Sequence, residues 1–374
     1  MFKRMWEGVK RYVCESDWPL LVLSLLLCCF GLVLIFTATY SAGNTLKHIV
    51  VQGMGMAIGA VGFIILSLFD FDRFPRMWIL LFFFNVMFQL SLAVLGVAGD
   101  TGNKSWIPLV AGINIQPGEV GKIIFIYTMA CHMNELKDRK NKIGSILQLC
   151  MHMGITMASV YVISHDLGVA LMYPLIFLMM LFASGVSLWW VGGVCAAGAA
   201  CVPVLWSIMS EYQKLRIIVV WNPDASERFA WHGKLSMRAV GNGQLTGKGF
   251  LQGTMIQGDA YPAQHTDFIF STCAEEFGFI GCMLLLLLLT ALVFHIFIDA
   301  ARCSSRTGSL ICVGVGSMLM WQVLINVGMC LGIMPVIGLT LPLVSYGGTS
   351  VMTTLASFGL VCGYVMRKKP NWLR

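Results

Sequence analysis

The sequence predicts an all-α polytopic membrane protein, a bundle of ten transmembrane helices with a long extracytoplasmic loop between helices 7 and 8. Of its 374 residues, 57% are hydrophobic and 11% are charged, and the mean hydropathy is +0.79. A soluble protein carries about a quarter charged residues, so this chain lacks the polar surface that water requires. Its apolar runs are continuous and reach the roughly 20 residues that a spanning helix needs.

Ten segments are predicted to cross the membrane. Nine contain no Asp, Glu, Lys or Arg, and the other, residues 117–134, reaches spanning length only by including Glu119 and Lys122. The uncharged block 167–210 is too long for one span, and it is predicted to turn at "ASGVS". In chain order the predicted spans are 18–38, 48–69, 77–98, 117–134, 143–164, 167–187, 188–210, 277–298, 309–333 and 343–366.

The distribution of basic residues predicts that both termini are cytoplasmic. Ten spans place the two ends on one side, where the termini and connecting loops then hold sixteen Lys and Arg residues, against three on the other side outside the long loop. An excess of Lys and Arg marks the cytoplasmic side. The chain is thus predicted to be one integral membrane domain, 1–374, with cytoplasmic ends at 1–17 and 367–374. The net charge of +7 then reflects topology and indicates no nucleic-acid site.

Three carboxylates lie at the outer end of the predicted eighth span, in "HTDFIFSTCAEEFGFIG". Asp267 follows a threonine at the start of an apolar run, which suits a helix N-cap. The other interpretation is a functional site, because ionisable residues at membrane depth usually face the bundle interior or water. Both interpretations stay open for Asp267, and the functional one is favoured for Glu275 and Glu276.

Further polar residues border the same predicted outer side. Glu119 and Lys122 are three residues apart and can pair on one helix face, either as a structural pair or as a cation held for an anionic ligand. Asp166 suits a helix cap. The stretch "GNGQLTGKG" is similar to a phosphate-binding loop, but Gly249 stands where that motif needs Ser or Thr, so we predict a flexible turn.

Two irregular segments complete the predicted outer surface. The loop 211–266 mixes aromatic and basic residues, which argues against disorder and for a surface that rests on the membrane or on a ligand. "LPLVSYGGTS" breaks helical regularity at the outer end of the last span, and such backbone is tolerated where it lines a cavity or is buried in protein. These features predict an outward cavity for either a lipid with an anionic head group or a transported solute.

Three motifs resemble those of the SEDS family (shape, elongation, division and sporulation), typified by RodA and FtsW. They are "HTDFIFSTCAEEFGFIG", "MPVIGLTLPLVSYGGTS" and "WIPLVAGINIQPGEVGK", and "GTMIQGDAYPAQHTDF" is more similar to RodA than to FtsW. The resemblance implies a peptidoglycan glycosyltransferase that polymerises lipid II into glycan strands at the outer face of the bacterial plasma membrane. It also implies a class B penicillin-binding protein and other membrane proteins of the elongation or division complex as partners.

The resemblance also implies residue roles. The family's essential aspartate corresponds to Asp267, a base for an inverting transfer. Where the family usually has arginine this chain has Ser105, so Lys104 is expected to supply the charge. No cofactor is firmly implied, and a divalent cation at the lipid diphosphate stays open. The candidate substrate-binding residues are Lys104, Trp106, Glu119, Lys122, Asp166, Arg216, Lys248, His265, Glu275, Glu276, Ser345, Gly347 and Gly348.

Two other functions stay open at this point. A flippase for lipid-linked precursors is expected to have polar residues along the whole depth of its spans. The first, second, third, fifth and seventh predicted spans hold no charged residue. A non-catalytic scaffold for the penicillin-binding protein would leave Asp267 with no purpose beyond capping. The sequence therefore favours chemistry at the outer face.

Overall fold

The computed structural model describes Tyr12 and residues 15–71, 76–98, 104–108, 114–258 and 263–367. Most of the predicted cytoplasmic termini, 1–17 and 367–374, lies outside these residues. Within the described part of the chain, eight helices are long and apolar enough to cross a membrane. The predicted polytopic helix bundle is therefore confirmed.

The first half of the chain forms long helices interrupted by a small antiparallel sheet. Its three strands pair in the order β1-β2-β3, with a bulge between Val97 and Ala98. The all-α prediction missed this sheet because strands this short carry little alternation of apolar and polar residues. The elements are α1 (Trp18–Tyr40), α2 (Thr45–Leu68), α3 (Met77–Leu90), α4 (Leu92–Leu95), β1 (Val97–Ala98), β2 (Lys104–Pro108), β3 (Asn114–Ile115) and α5 (Pro117–Glu135).

In the described part of the second half of the chain, all the regular elements are helices. The loop 211–266 is largely ordered as helices rather than as irregular chain. The elements are α6 (Ile143–Ser164), α7 (Leu167–Ala183), α8 (Leu188–Ile208), α9 (Glu211–Trp221), α10 (Glu227–Gly243), α11 (Thr254–Gln257), α12 (Ile269–Arg302), α13 (Arg306–Cys330) and α14 (Gly348–Met366), with short 3-10 turns at Lys137–Arg139 and Pro223–Ala225.

Two helices that the ten-span prediction requires are not among the eight. Helix α5 has 19 residues but carries charged side chains, and α7 has 17 residues. Both lie inside the bundle, where α5 packs on α3 and α13 and α7 packs on α6 and α13. By contrast, α8 buries none of its residues, so it lies at the periphery.

Helices α2 and α14 pack closely through glycines. A Cβ on Gly55 would lie 2.7 Å from the carbonyl oxygen of Gly348, and one on Gly359 would lie 2.3 Å from that of Phe63. Small residues allow membrane helices to approach in this way. The predicted span 343–366 is too long at its start, because α14 begins only at Gly348 and the preceding "LPLVSYG" is non-helical, as its proline and glycine indicated.

Helix α12 is longer than the predicted span 277–298, and it is broken at Gly278, which has φ 67° and ψ −164°. The loop after α10 fills the break, since the amides of Phe279 and Lys248 donate to the carbonyls of Gln244 and Glu275 at 2.8 and 2.9 Å. A Cβ on Gly247 would lie 2.1 Å from the carbonyl oxygen of Glu276. The prediction of a flexible turn at "GNGQLTGKG" is therefore wrong, because backbone hydrogen bonds and close packing fix this loop.

Candidate active site

Asp267 lies in the turn that precedes α12, residues 263–268, which we call the aspartate turn. The N-cap of α12 is Phe268, and no side chain caps this end of the helix. The capping interpretation of Asp267 is therefore wrong: its carboxylate does not satisfy the first amides of the helix. The side chain is directed instead toward Gly338, where a Cβ would lie 3.6 Å from Asp267 Oδ2.

Asn326 of α13 holds the backbone at this turn. Its Nδ2 donates to the carbonyl of Asp267 at 2.8 Å and to that of Leu339 at 2.7 Å. The side chain of Asn326 is fully buried, so this double hydrogen bond is sheltered from water. It ties the aspartate turn to the segment between α13 and α14 and fixes the position from which the carboxylate projects.

The "SYGG" segment clamps the same turn from the other side. Ser345 Oγ donates to the carbonyl of Thr266 at 2.6 Å, and the Tyr346 amide donates to that of His265 at 2.9 Å. Gln52 of α2 in turn donates to the carbonyl of Ser345 at 3.1 Å. Three segments that are distant in sequence thus converge on one short stretch of backbone.

Burial changes the acidity of Asp267. Desolvation raises the pKa of its carboxyl to about 6; nearby Arg216 acts to lower the pKa, and nearby Asp166 to raise it. Above about pH 6 the group is therefore mostly ionised and can accept a proton. A base whose pKa lies near the working pH is well suited to proton transfer.

Asp166 caps α7, as the sequence indicated. The Val169 amide donates to Oδ1 at 3.1 Å, and Gln116 Nε2 donates to Oδ2 at 3.2 Å. Burial raises the pKa of Asp166, and the charges of Glu119 and Lys122 also act on it, upward and downward respectively. Asp166 therefore links the aspartate turn electrostatically to the ion pair on α5.

Glu119 and Lys122 form the ion pair that their spacing allowed. Lys122 Nζ lies 2.7 Å from Glu119 Oε1, and the two residues are 0% and 5% exposed. Tyr173 donates to the neighbouring carbonyl of Gly118 at 3.1 Å. The pairing and the burial are those that a structural ion pair would have.

Glu275 and Glu276 fasten the long loop to α12. Glu275 accepts hydrogen bonds at 3.0 Å from the amides of Met255 and Ile256, which begin the short helix α11. Glu276 accepts from Gln257 Nε2 at 3.1 Å. Both glutamates are buried, and both carboxylates are engaged with α11 rather than with the turn that carries Asp267.

Arg216, whose charge acts on Asp267, lines two pockets. The smaller, about 90 Å³, also contains Asp166 and Ile337. The larger, about 170 Å³, lies under the helices of the long loop. Its polar or charged lining residues are Tyr212, Arg216, Arg228, His232 and Lys234. The larger pocket suits an anionic ligand, because three cationic side chains surround one cavity, and Arg216 among them acts electrostatically on Asp267.

His265 belongs to an aromatic cluster with His48 and Tyr346, whose ring centroids lie 4.9 and 5.4 Å from its own. Burial and the neighbouring His48 lower the pKa of His265 to about 4, so the imidazole is neutral at pH 7. Gly347 donates its amide to Gln52 Oε1 at 3.0 Å, and the backbone of Gly348 packs on α2. His265, Gly347 and Gly348 thus contribute to the backbone packing in and around the aspartate turn.

The remaining candidates lie on other elements. Lys104 and Trp106 are in β2, which packs on α5 and α6, with Lys104 exposed. Lys248 is exposed too, and its amide donates to the carbonyl of Glu275. Sequence reasoning missed Asn326 and Gln52 as positioning residues. Each has an amide side chain within a predicted apolar span, and a polar side chain in such a span was the sequence feature that could have indicated its role.

The comparisons decide the family. The family model for the cell cycle proteins FtsW, RodA and SpoVE matches residues 18–369. The chain belongs to this family, the SEDS proteins. Over 272 residues, 72% of both chains, it is 34% identical to the peptidoglycan glycosyltransferase MrdB of Escherichia coli K12. Over 377 residues, 98% of both chains, it is 26% identical to the probable peptidoglycan glycosyltransferase FtsW of Geobacter metallireducens.

Solved SEDS structures share the fold. A chain from a peptidoglycan synthase complex that coordinates polymerization and crosslinking superposes with a TM-score of 0.79 at 25% identity, covering 94% of this chain and 98% of that one. The rod shape determining protein RodA of Thermus thermophilus superposes with a TM-score of 0.68 at 24% identity, covering 95% and 98%. The described helices therefore follow the SEDS arrangement.

Proposed function

We propose that this protein is an inverting peptidoglycan glycosyltransferase that polymerises lipid II. The names of its curated relatives support the reaction class. One observation in the structure carries the proposal: the Asp267 carboxylate has a pKa of about 6, caps no helix, and is acted on electrostatically by Arg216, which lines a basic pocket. The relatives include both MrdB and FtsW proteins, and the "GTMIQGDAYPAQHTDF" segment of this chain favours the RodA branch.

In the proposed mechanism Asp267 is the general base. The sugar of lipid II is α-linked to a diphosphate and the product is β-1,4-linked, so the anomeric carbon inverts. The Asp267 carboxylate accepts the proton of the acceptor hydroxyl as its oxygen bonds to the anomeric carbon. The bond to the diphosphate oxygen breaks on the opposite face, as in inverting glycosidases. The diphosphate departs with the electron pair, and needs neutralising charge more than a proton.

The basic residues of the long loop are proposed to supply that charge. Arg216, Arg228 and Lys234 line the larger pocket, and Arg216 also acts electrostatically on Asp267. Arginine suits this task because its planar group binds phosphate oxygens in a bidentate manner. Among the described residues, neither Asp166 nor Asp267 belongs to a group of three or more potential metal-ligating side chains. A divalent cation bound by the diphosphate itself remains compatible with this arrangement.

The proposed membrane topology has ten spans, with α5 and α7 added to the eight apolar helices. Both helices lie inside the bundle, where neighbouring helices shield their polar groups from lipid. The protein is then one integral domain of the bacterial plasma membrane, with cytoplasmic ends at 1–17 and 367–374. The loop 211–266 and Asp267 face outward, where lipid II polymerisation takes place.

Cysteine accessibility tests this topology. In a variant whose native cysteines are replaced, a single cysteine at Asn141 is expected to be reached only by membrane-permeant reagents, because basic residues surround it. A single cysteine at Trp231 is expected to react with impermeant reagents in intact cells. Labelling of Trp231→Cys only after the membrane is opened contradicts the topology and the outward active site.

The proposed partner is a class B penicillin-binding protein that crosslinks the polymer, together with other membrane proteins of the elongation or division complex. The similarity to a chain in a peptidoglycan synthase complex supports this assignment. No nucleic acid is part of the proposal.

The pH dependence of the polymerisation rate is expected to follow the ionisation of Asp267. Since only the ionised carboxylate accepts a proton, the rate falls as the pH drops through about 6. Arg216 lowers that pKa, so Arg216→Gln is expected to move the acid limb to higher pH, besides weakening substrate binding. Arg228→Gln is the matched control, which weakens binding without moving the limb. The rate of polymer formation is measured at several pH values for both variants. If the acid limb of the pH profile does not move in Arg216→Gln, the electrostatic effect of Arg216 on Asp267 is contradicted.

The proposed activity is tested with the purified protein and its partner in detergent. Labelled lipid II is expected to become a ladder of glycan strands even when the active site of the crosslinking partner is blocked. Polymer that forms only when the partner contributes its own glycosyltransferase domain, or no polymer at all from a folded complex, favours the scaffold function instead.

A further inference from the structure

The larger basic pocket contains one imidazole, that of His232, to which the proposed mechanism gives no role. His232 lies on α10 and lines the pocket together with its three cationic side chains. Its ring also packs on that of Phe268, with the centroids 6.4 Å apart and an angle of 18° between the ring planes. Because Phe268 follows Asp267 directly in the aspartate turn, His232 contributes to the pocket and contacts this turn as well.

A buried hydroxyl group fixes the face of α10 that carries His232. Ser236 lies one helical turn after His232, on the same face, and is fully buried. Its Oγ donates to the carbonyl of Cys330 at 2.8 Å and lies 2.6 Å from the Oγ of Ser271. Cys330 Sγ donates in turn to the carbonyl of Asp267 at 3.8 Å. The imidazole is thus held at a defined position relative to the aspartate turn.

The imidazole of His232 lacks a partner that a buried ring nitrogen normally has. Nδ1 is buried and has no hydrogen-bond partner among the described residues. Burial and the charge of Arg216 lower the pKa of His232, so the ring is neutral at pH 7 and carries one proton. We expect that proton on Nε2, because Nδ1 has no acceptor for it and an unpaired buried donor is costly. Nε2 is then a neutral donor among cations.

An anionic oxygen is the partner that this environment favours. Arg216, Arg228 and Lys234 carry only donor groups, and the hydroxyl of Tyr212 already accepts a hydrogen bond from Arg216. The polar side chains of the pocket are therefore rich in donors, and a ligand with several acceptor oxygens satisfies them best. A diphosphate has such oxygens, and their negative charge strengthens each hydrogen bond.

We propose that His232 binds the lipid substrate by donating a hydrogen bond from Nε2 to an oxygen of its diphosphate in the larger pocket. This inference rests on the proposed function, in which a diphosphate is the leaving group. Since His232 packs on Phe268, the same hydrogen bond positions the leaving group relative to the turn that carries Asp267. The neighbouring cations supply charge, and the imidazole adds a donor with a fixed direction.

Two variants separate hydrogen bonding from packing on Phe268, with farnesyl diphosphate as the probe and the full chain in detergent at pH 7. His232→Phe keeps an aromatic ring without nitrogens, and is expected to raise the Kd about 10- to 100-fold, the contribution of a hydrogen bond to a charged group. His232→Gln has no ring but places an N–H donor near the position of Nε2, and is expected to bind almost as tightly as the parent protein. The opposite order of the two variants identifies a packing role and overturns the proposal.

The matched control is Trp231→Phe, which changes the neighbouring aromatic residue of α10. Trp231 is exposed and does not line the pocket, so the Kd of this variant is expected to equal that of the parent protein. In polymerisation assays, His232→Phe is expected to raise the KM for lipid II more than it lowers kcat, because the lost contact already exists in the bound substrate.

The outcomes distinguish this inference from the proposed function. If the parent protein polymerises lipid II and His232→Phe binds farnesyl diphosphate as tightly as the parent, the inference is overturned and the proposed function stands. If binding depends on His232 but the parent protein forms no polymer, the diphosphate site is supported and the proposed reaction is contradicted.

Chemical modification tests the parent protein directly if His232→Phe does not fold. Diethyl pyrocarbonate acylates neutral imidazole nitrogens, and the modified peptide is quantified by mass spectrometry. Farnesyl diphosphate is expected to protect His232, because the hydrogen bond to its oxygen occupies Nε2. Equal modification of His232 with and without the bound diphosphate overturns the proposal.

Discussion

Asp267→Asn is expected to reduce polymerisation of lipid II about 10²–10⁴-fold, because asparagine cannot accept the hydroxyl proton and general bases contribute about that factor. Asparagine keeps the size and polarity of the side chain. The hydrogen bonds from Asn326 and Cys330 go to the main-chain carbonyl of Asp267, so the turn itself is expected to survive. The measurement is polymer formed per mole of folded protein, with binding to the partner assayed in parallel.

The control for this variant is Asp138→Asn, an exposed carboxylate outside the site, which is expected to polymerise normally. An alternative role for Asp267 in helix capping predicts a different pattern, since losing a cap costs about 1 kcal/mol and lowers yield rather than turnover. Asp267→Asn that retains more than about a tenth of the parent rate contradicts the role as base, whose loss costs far more. Asp166 would then be the next carboxylate to test, since it acts electrostatically on Asp267 and lines a pocket with Arg216.

Lys122→Ala is expected to destabilise the protein by about 3–5 kcal/mol, because it leaves the buried carboxylate of Glu119 without its partner. Lys122 is 0% exposed and its Nζ lies 2.7 Å from Glu119 Oε1, so water cannot replace the lost ammonium group. The expected result is a large loss of folded protein in membranes and a lower Tm in detergent.

Lys104→Ala is the matched control, because Lys104 is exposed on β2 and its removal is expected to change Tm little. A double variant, Glu119→Leu with Lys122→Met, separates the ion pair from simple packing. Replacing both charges by apolar groups of similar volume is expected to recover most of the stability. Equal, mild effects of Lys122→Ala and Lys104→Ala contradict the buried pair.

The sequence predicted the features that depend on local composition. Uncharged runs of spanning length gave the apolar helices, and the spacing of Glu119 and Lys122 gave their ion pair. Asp166 was correctly read as a possible cap because the residue types and the helix start are adjacent in the chain. The break before α14 followed from "SYGG" for the same reason.

The contacts between distant segments could not be predicted from the sequence. Glu275 and Glu276 accept hydrogen bonds from α11, and only the fold brings these elements together. "GNGQLTGKG" looked flexible because its partner is the broken backbone around Gly278, about thirty residues later in the chain. Asn326 and Gln52 became visible as positioning residues only when α13, α2 and the aspartate turn met.

This protein is proposed to catalyse glycosyl transfer at the outer face of the membrane rather than to move lipid across it. The direct measurement uses sealed vesicles that contain the oriented protein and its partner, with fluorescent lipid II confined to the outer leaflet. We predict glycan strands from the parent protein, none from Asp267→Asn, and no change in the fraction of unreacted lipid accessible to an impermeant quencher. Loss of accessible lipid without polymer, unaffected by Asp267→Asn, would contradict the claim and identify a flippase.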